Sequence, residues 1–192
     1  LMQEAVPVGH GAMAAILGLD DRQVREVCEQ AAQGQVVEAV NFNSPGQVVV
    51  AGDAQAVNRA TEVARAAGAK RALLLDVSVP SHCALMRPAA QRLAPALQAL
   101  VFHAPSAPVL QNVNAAEAAD TEEIRGLLVE QLFSPVRWVE IVQAFAQRGV
   151  ELVVEAGPGK VLTGLVRRID KSLQALAVVD PASLDHAVEA VN

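Results

Sequence analysis

Apolar residues first gather in a short run, Gly11 to Gly18 (GAMAAILG), and then shift to helical spacing at Val24, Val27, Cys28 and Ala31. The run reads as a strand and the spaced set as a helix. Asp20-Asp21 supply N-cap chemistry at its start and Gly34 marks its end. Val36 to Phe42 and Gln47 to Ala51 are β-rich and flank the turn cluster Asn43-Ser44-Pro45-Gly46, which is a hairpin pattern. Gly52-Asp53 opens a second helix, with Ala56, Val57, Ala60, Val63, Ala64 and Ala67 apolar and Gly68 closing it. Lys70 to Val77 reads as a further strand. The order over residues 11 to 77 is β-α-β-β-α-β, the split-βαβ, ferredoxin-like order.

The rest of the chain has a different rhythm. Val79-Pro80-Ser81-His82 reads as a loop and Cys83 to Leu100 as a helix. Pro105 and Pro108 punctuate the next stretch, and Val109 to Val113 reads as a strand. Thr121 to Phe133 is predicted as a helix capped by Thr121, with Glu122 and Glu123 complementing its dipole. Ser134 at N-cap and Pro135 at N1 predict another helix, with Trp138 and Ile141 on its apolar face. A strand at Val150 to Glu155, a break at Gly157-Pro158-Gly159 and a helix at Val161 to Ile169 come next. A strand at Ala175 to Val179 and a helix at Pro181 to Val191 end the pattern. Strands alternating with helices imply an α/β layer with a parallel sheet.

Composition narrows the function classes. With 52% apolar and 19% charged residues among 192, the chain can bury a core. Aromatics are only 3%, so that core is aliphatic, and base-stacking modules are disfavoured. A net charge of −6 leaves no basic stripe for a phosphate backbone, which argues against nucleic acid. No apolar run reaches a membrane span, and no signal peptide is visible. Cys28 and Cys83 lie far apart and fit no metal spacing, so a reducing, cytoplasmic setting is expected. The opening Leu1-Met2-Gln3-Glu4 reads as mid-helix, as expected for part of a longer polypeptide.

His82 is the first candidate for chemistry. It comes after a predicted strand and before a predicted helix, at the sheet edge where open α/β folds place their sites. Imidazole is the side chain suited to general-base work near neutral pH. The alternative is a helix-start histidine satisfied by backbone. Gly157-Pro158-Gly159-Lys160 could present amides to a phosphate, but it lacks the full P-loop and dinucleotide patterns, so a plain turn is the simpler reading. Asn41, Asn43 and Gln47 bracket the hairpin turn, where short amides usually close Asx turns and only sometimes line a pocket. Ser44, Ser81 and Cys83 lie in no GxSxG elbow, which weakens each as a nucleophile.

Six ordered blocks add up to a resemblance: MQEAVP (2–7), GAMAAILGL (11–19), VNFNSPGQVVVAG (40–52), AGAKRALLLDVSVPSHCALM (67–86), QLFSPVRW (131–138) and EAGPGKVLTGL (155–165). Together they resemble the bacterial malonyl-CoA:acyl-carrier-protein transacylases of fatty-acid synthesis, almost from end to end. The resemblance implies an α/β-hydrolase-like acyltransferase large subdomain, of which only the C-terminal part is here, with a ferredoxin-like βαββαβ small subdomain. Residues 1–10 would end a large-subdomain helix and linker, 11–77 would be the small subdomain, and 78–192 the C-terminal part of the large one. The implied reaction is ping-pong. A serine takes malonyl from malonyl-CoA and passes it to the phosphopantetheine thiol of acyl carrier protein, with no cofactor or metal.

By the same resemblance, His82 in PSHCALM is the general base. Gln131 in QLFSPVRW is the residue whose main-chain carbonyl orients that base, in place of a triad carboxylate. Asn41, Asn43 and Gln47 in NFNSPGQ would line the acyl or pantetheine channel. The family's GHSLGE-type nucleophile elbow and its glutamine-rich oxyanion loop are absent from this sequence. The arginine that pairs with the malonyl carboxylate lies, in the family, just upstream of MQEAVP. The chain is therefore expected to carry the histidine half of the site and to be inactive alone. The other reading is a non-catalytic module that keeps a carrier-protein or CoA docking surface. Expected partners are malonyl-CoA and acidic acyl carrier protein, the latter through Lys70, Arg71, Lys160, Arg167 or Arg168. No nucleic acid, no membrane and a monomer complete the expectation.

Overall fold

Asp20 opens the first long helix with a reciprocal cap. Its carboxylate accepts from Gln23 N at 2.8 Å, and the Gln23 side chain accepts from Asp20 N at 2.9 Å. Two otherwise orphaned helix-start donors are thereby satisfied. The computed structural model describes residues 1–191, which form two compact units, Leu1–Trp138 and the part from Val139 onward. The first unit contains α1 (Met2–Ala5), β1 (Gly11–Leu17), α2 (Asp21–Ala32), β2 (Val37–Ser44), β3 (Gln47–Asp53), α3 (Ala54–Ala66) and β4 (Arg71–Leu74). A 3-10 turn at Ala84–Met86, then α4 (Arg87–Gln98) and α5 (Thr121–Glu130), complete it.

The four strands form one antiparallel sheet in the order β2-β3-β1-β4, the arrangement that the β-α-β-β-α-β order predicts. Alternation assigns each face. Ala14 and Ile16 of β1 pair with Val50 and Val48 of β3, and all four are fully buried on the face that α2 and α3 cover. The helices bring Val24, Val27, Ala31, Ala56, Val57 and Ala60 to that core. Arg59 of α3 stitches the end of α2 by donating to Ala31 O and Ala32 O, each at 2.9 Å, and to Gln35 Oε1 at 2.8 Å. The opposite face carries Met13, Val49 and Ala51, and closes over the fully buried Cys83, one residue after His82. That packing seats the His82 loop on the sheet.

Several boundaries differ from the pattern reading, each for a local reason. The strand expected over Lys70 to Val77 is regular only over Arg71–Leu74, because it is an edge paired to β1 alone, with Leu73 and Leu74 exposed. The helix expected over Cys83 to Leu100 is divided after Met86. Pro88 sits in the first turn of α4, where its missing N–H costs nothing. Val109 to Val113 is not a strand: Leu110 makes a single bridge to Glu117, and Ala115 N donates to Gln111 O, turning the chain back. The cap of α5 is Asp120, which accepts from Glu123 N at 2.8 Å, rather than Thr121, and the helix ends at Glu130. Ser134-Pro135 starts no helix. Val136 instead pairs with the open edge of β2, donating to Val40 O at 2.8 Å and accepting from Phe42 N at 3.0 Å. Two sheet hydrogen bonds outweigh a local N-cap preference there.

The second unit contains most of α6 (Trp138–Gln147), then β5 (Leu152–Ala156), α7 (Val161–Ile169), β6 (Gln174–Val178) and α8 (Pro181–Val191). β5 and β6 are parallel and paired from Leu152 with Gln174 to Ala156 with Val178. Glu155 of β5 reaches across the glycine turn to the start of α7, accepting from Leu162 N at 3.1 Å, Thr163 N at 2.7 Å and Thr163 Oγ1 at 2.7 Å. Desolvation on its own would raise the Glu155 pKa. The bonds from Thr163, Leu162 and Val161 outweigh it and hold the carboxyl below its ordinary 4.5. A lowered folded pKa means stability that is complete above 4.5 and lost as pH falls through the lower folded value. Acid unfolding of this unit is therefore expected to carry a Glu155 contribution, and Glu155→Gln should flatten the acid limb of a melting-temperature profile. Superimposable acid limbs for the two proteins would show that the cap is not coupled to folding.

Candidate active site

His82 stands at the only histidine position with a positive φ among the described residues, +67°. The left-handed region is uncommon for a side chain of this size and persists only where its surroundings hold it. Here the hold is explicit. His82 N donates to Leu132 O at 2.9 Å, and the ring Nδ1–H donates to Gln131 O at 2.6 Å. A carbonyl can only accept, so the proton lies on Nδ1 and Nε2 is left as the basic nitrogen. Two successive main-chain carbonyls at the end of α5 thus fix the backbone and the tautomer of one imidazole. His82 is half-buried rather than sealed in the core.

The residues after it are pinned as well. Cys83 Sγ–H donates to Pro80 O at 3.1 Å, closing the loop on itself. Burial, followed by the charges of Glu38 and Asp53, pushes the Cys83 thiol up to about 12, so it is an anchor and not a thiolate nucleophile. Ala84 N donates to the Glu38 carboxylate of β2 at 3.0 Å. Phe133, two residues past Gln131, lies under the Arg87 guanidinium at 4.3 Å from the ring centre, tying the carbonyl-bearing segment to α4.

His82 and Gln131 are therefore brought together, forty-nine residues apart in sequence. Asn41 is half-buried on β2 and bridges to Val136, and it is registered opposite Val49, on the sheet face that receives Cys83. Asn43 is half-buried at the second of two register shifts of the same strand, between Phe42 and Ser44. Gln47 stands at the turn end of β3, where Ser44 Oγ donates to Gln47 Oε1 at 3.5 Å. Four residues, roughly 13 Å along the strand, separate it from Ala51 beside Cys83. Ser44 is itself buried. At the glycine turn, Glu155 already occupies the amides of Leu162 and Thr163 that a phosphate would need, so Gly157-Pro158-Gly159 is a structural turn. Among the basic residues considered for docking, Arg167 donates to Ala175 O at 2.8 Å.

Pattern reading missed Leu132 and Glu38. A backbone carbonyl leaves no mark in sequence, so Leu132 had no signal. Glu38 had none either: it is exposed beside the buried Val37, where a charged side chain is ordinary. Among the described residues there is no group of His, Cys, Asp and Glu able to hold a metal ion, and no helix long and apolar enough to cross a membrane.

The chain resembles known proteins over nearly its whole length. The family described as acyl transferase domain matches residues 1–186. The chain is 56% identical over 188 residues to the malonyl CoA-acyl carrier protein transacylase of Escherichia coli K12, covering 98% of this chain and 61% of that one. It is 43% identical over 189 residues to the protein of the same name from Bacillus subtilis, covering 98% and 60%. A malonyl-transacylase solved in complex with a type II polyketide acyl-carrier protein superimposes with a TM-score of 0.97 at 54% identity, covering 98% of this chain and 61% of that one. The acyl carrier protein S-malonyltransferase of Vibrio cholerae does so with 0.95 at 56%, covering 97% and 61%. The chain thus spans about three fifths of the length of these relatives. A match along nearly all its residues, on the same mixed α/β architecture, means that the chain belongs to the acyl transferase domain family.

Proposed function

We propose that this chain supplies the histidine half of an acyltransferase that moves malonyl from malonyl-CoA to the phosphopantetheine thiol of acyl carrier protein, in the cytoplasm. The observation that carries the reading is the 2.6 Å bond from His82 Nδ1–H to Gln131 O, which leaves Nε2 free to accept a proton. In the first half-reaction Nε2 takes the proton of a serine hydroxyl contributed by polypeptide outside this sequence. The oxygen attacks the thioester carbonyl, and the imidazolium returns the proton to the departing CoA thiolate. In the second half-reaction the carrier thiol gives its proton to Nε2 and attacks the serine ester, and the serine oxygen is reprotonated. A neutral carbonyl stabilises imidazolium less than a carboxylate would.

The same reading takes residues 11–77 as the small subdomain, with 1–10 and 78–192 as parts of the large one. Asn41, Asn43 and Gln47 would then line the route of the acyl or pantetheine group. Incubating the full-length protein with radiolabelled malonyl-CoA and denaturing it in acid tests the reaction. Covalent label that holo acyl carrier protein discharges is expected. Carrier-protein binding without any covalent label would replace this reading with that of a docking module.

A further inference from the structure

We propose that Glu38 is a positioning residue for His82, holding the imidazole in register through the peptide on its C-terminal side. The inference rests on His82 being the general base. Glu38 lies on β2 opposite Ala51 of β3, and Ala51 belongs to the buried cluster that includes Met13, Val40, Val49 and Cys83. Val36 and Leu85 pack against the same cluster. Glu38 is exposed on the strand, so its carboxylate stays hydrated and gives up no buried apolar contact. What it gains is one bond, from Ala84 N at 3.0 Å.

That donor has no local alternative. Ala84 opens the 3-10 turn that leads into α4, and Cys83 at the N-cap makes no side-chain cap bond. Glu38 therefore caps the turn from another element, its negative charge meeting the positive end of the turn. The bond fixes the Cys83–Ala84 peptide while the buried Cys83 side chain fixes the Cα before it. His82 lies between this anchor and the carbonyls of Gln131 and Leu132. With φ at +67° it occupies a narrow well, and releasing one end lets the backbone relax toward a commoner conformation and swings the ring. Since a 1 Å misplacement of a catalytic group can cost about a hundredfold, partial loss of this restraint should cost about tenfold.

Three substitutions in the full-length enzyme separate positioning from packing. Glu38→Val keeps a strand-compatible side chain at an exposed position and removes the acceptor. It should keep the melting temperature and the KM for malonyl-CoA while lowering kcat about tenfold. Glu38→Ala should lower kcat similarly. Glu38→Gln keeps an acceptor of the same reach and should restore kcat to within about twofold, since a neutral acceptor preserves the geometry. Wild-type kcat in Glu38→Val would overturn the proposal, as would a Glu38→Gln that is as slow as Glu38→Ala. His82→Ala, run alongside, separates the two levels. If it is slow while Glu38→Val is fast, only the positioning role fails. If His82→Ala is itself fast, the general-base reading fails first.

Discussion

Replacing His82 with alanine in the full-length enzyme is expected to lower kcat/KM for malonyl transfer by about 10²–10⁴-fold, the range typical of a general base. On the proposed mechanism both half-reactions should slow, because the same nitrogen would take the proton from each nucleophile and give it to each leaving group. The partner substitution should behave oppositely. In a Ser-His-Asp triad the orienting group is a side chain, and changing it is ruinous. Here the orienting atom is the main-chain oxygen of Gln131, 2.6 Å from Nδ1, and Leu132 O holds the His82 backbone in the same way. Gln131→Ala keeps that oxygen and should stay within about threefold of wild type. A large loss at Gln131 with little at His82 would invert the assignment. A His82→Ala enzyme that still transfers malonyl at an undiminished rate would remove the imidazole from the chemistry altogether.

This pair of residues also marks where the sequence could and could not be read. His82 stands out as a candidate because its surroundings are local: a strand-to-loop transition, an apolar run and a motif that resembles a known family. The Gln131 carbonyl entered only through that resemblance, since every residue has one and nothing in composition singles it out. Leu132 O was illegible for the same reason. Glu38 gave no signal, since a charged side chain at an exposed strand position is ordinary and its partner, Ala84 N, lies forty-six residues away, a distance that no local pattern spans.

The fold divides along similar lines. Residues 11–74 are legible nearly element by element because their signals are short-range: the Asp20 box, the hairpin turn at Pro45-Gly46, and the short apolar runs of β1 and β3. Errors collect where a distant element decides. Ser134-Pro135 has sound helix-start chemistry, yet β2 offers an unpaired edge and Val136 takes it. Val109 to Val113 has strand composition but turns back at Asn112–Ala115 instead of pairing. Propensity is a weak prior against hydrogen-bond partners that only the tertiary structure supplies.

Gly52→Ala is expected to be the most damaging small substitution in the sheet, and its reason lies in the same strand that carries Glu38. Gly52 is paired with Val37 on one side and Ala12 on the other. A Cβ placed there would meet Val36 O at 2.0 Å, Val36 C at 2.6 Å and Val37 Cα at 2.7 Å, all backbone atoms with no rotamer to yield. The Val36 peptide has little room to retreat, since Asp53 grips it twice. Val36 N donates to the Asp53 carboxylate at 2.7 Å, and Val36 O accepts from Asp53 N at 2.8 Å. Admitting one methyl group means pulling the start of β2 away from β3 and breaking that pair of bonds. The cost should be about 3 kcal/mol or more, at the upper end for overpacking. For a chain of this size it corresponds to a fall in Tm of roughly 6–12 °C. Because Glu38 sits two residues beyond Val36, kcat should fall along with stability, whereas Glu38→Val should lower kcat alone. A urea midpoint within experimental error of wild type for Gly52→Ala would mean that β2 and β3 do not approach this closely at Val36, and the anchor that Glu38 provides would lose its footing with them.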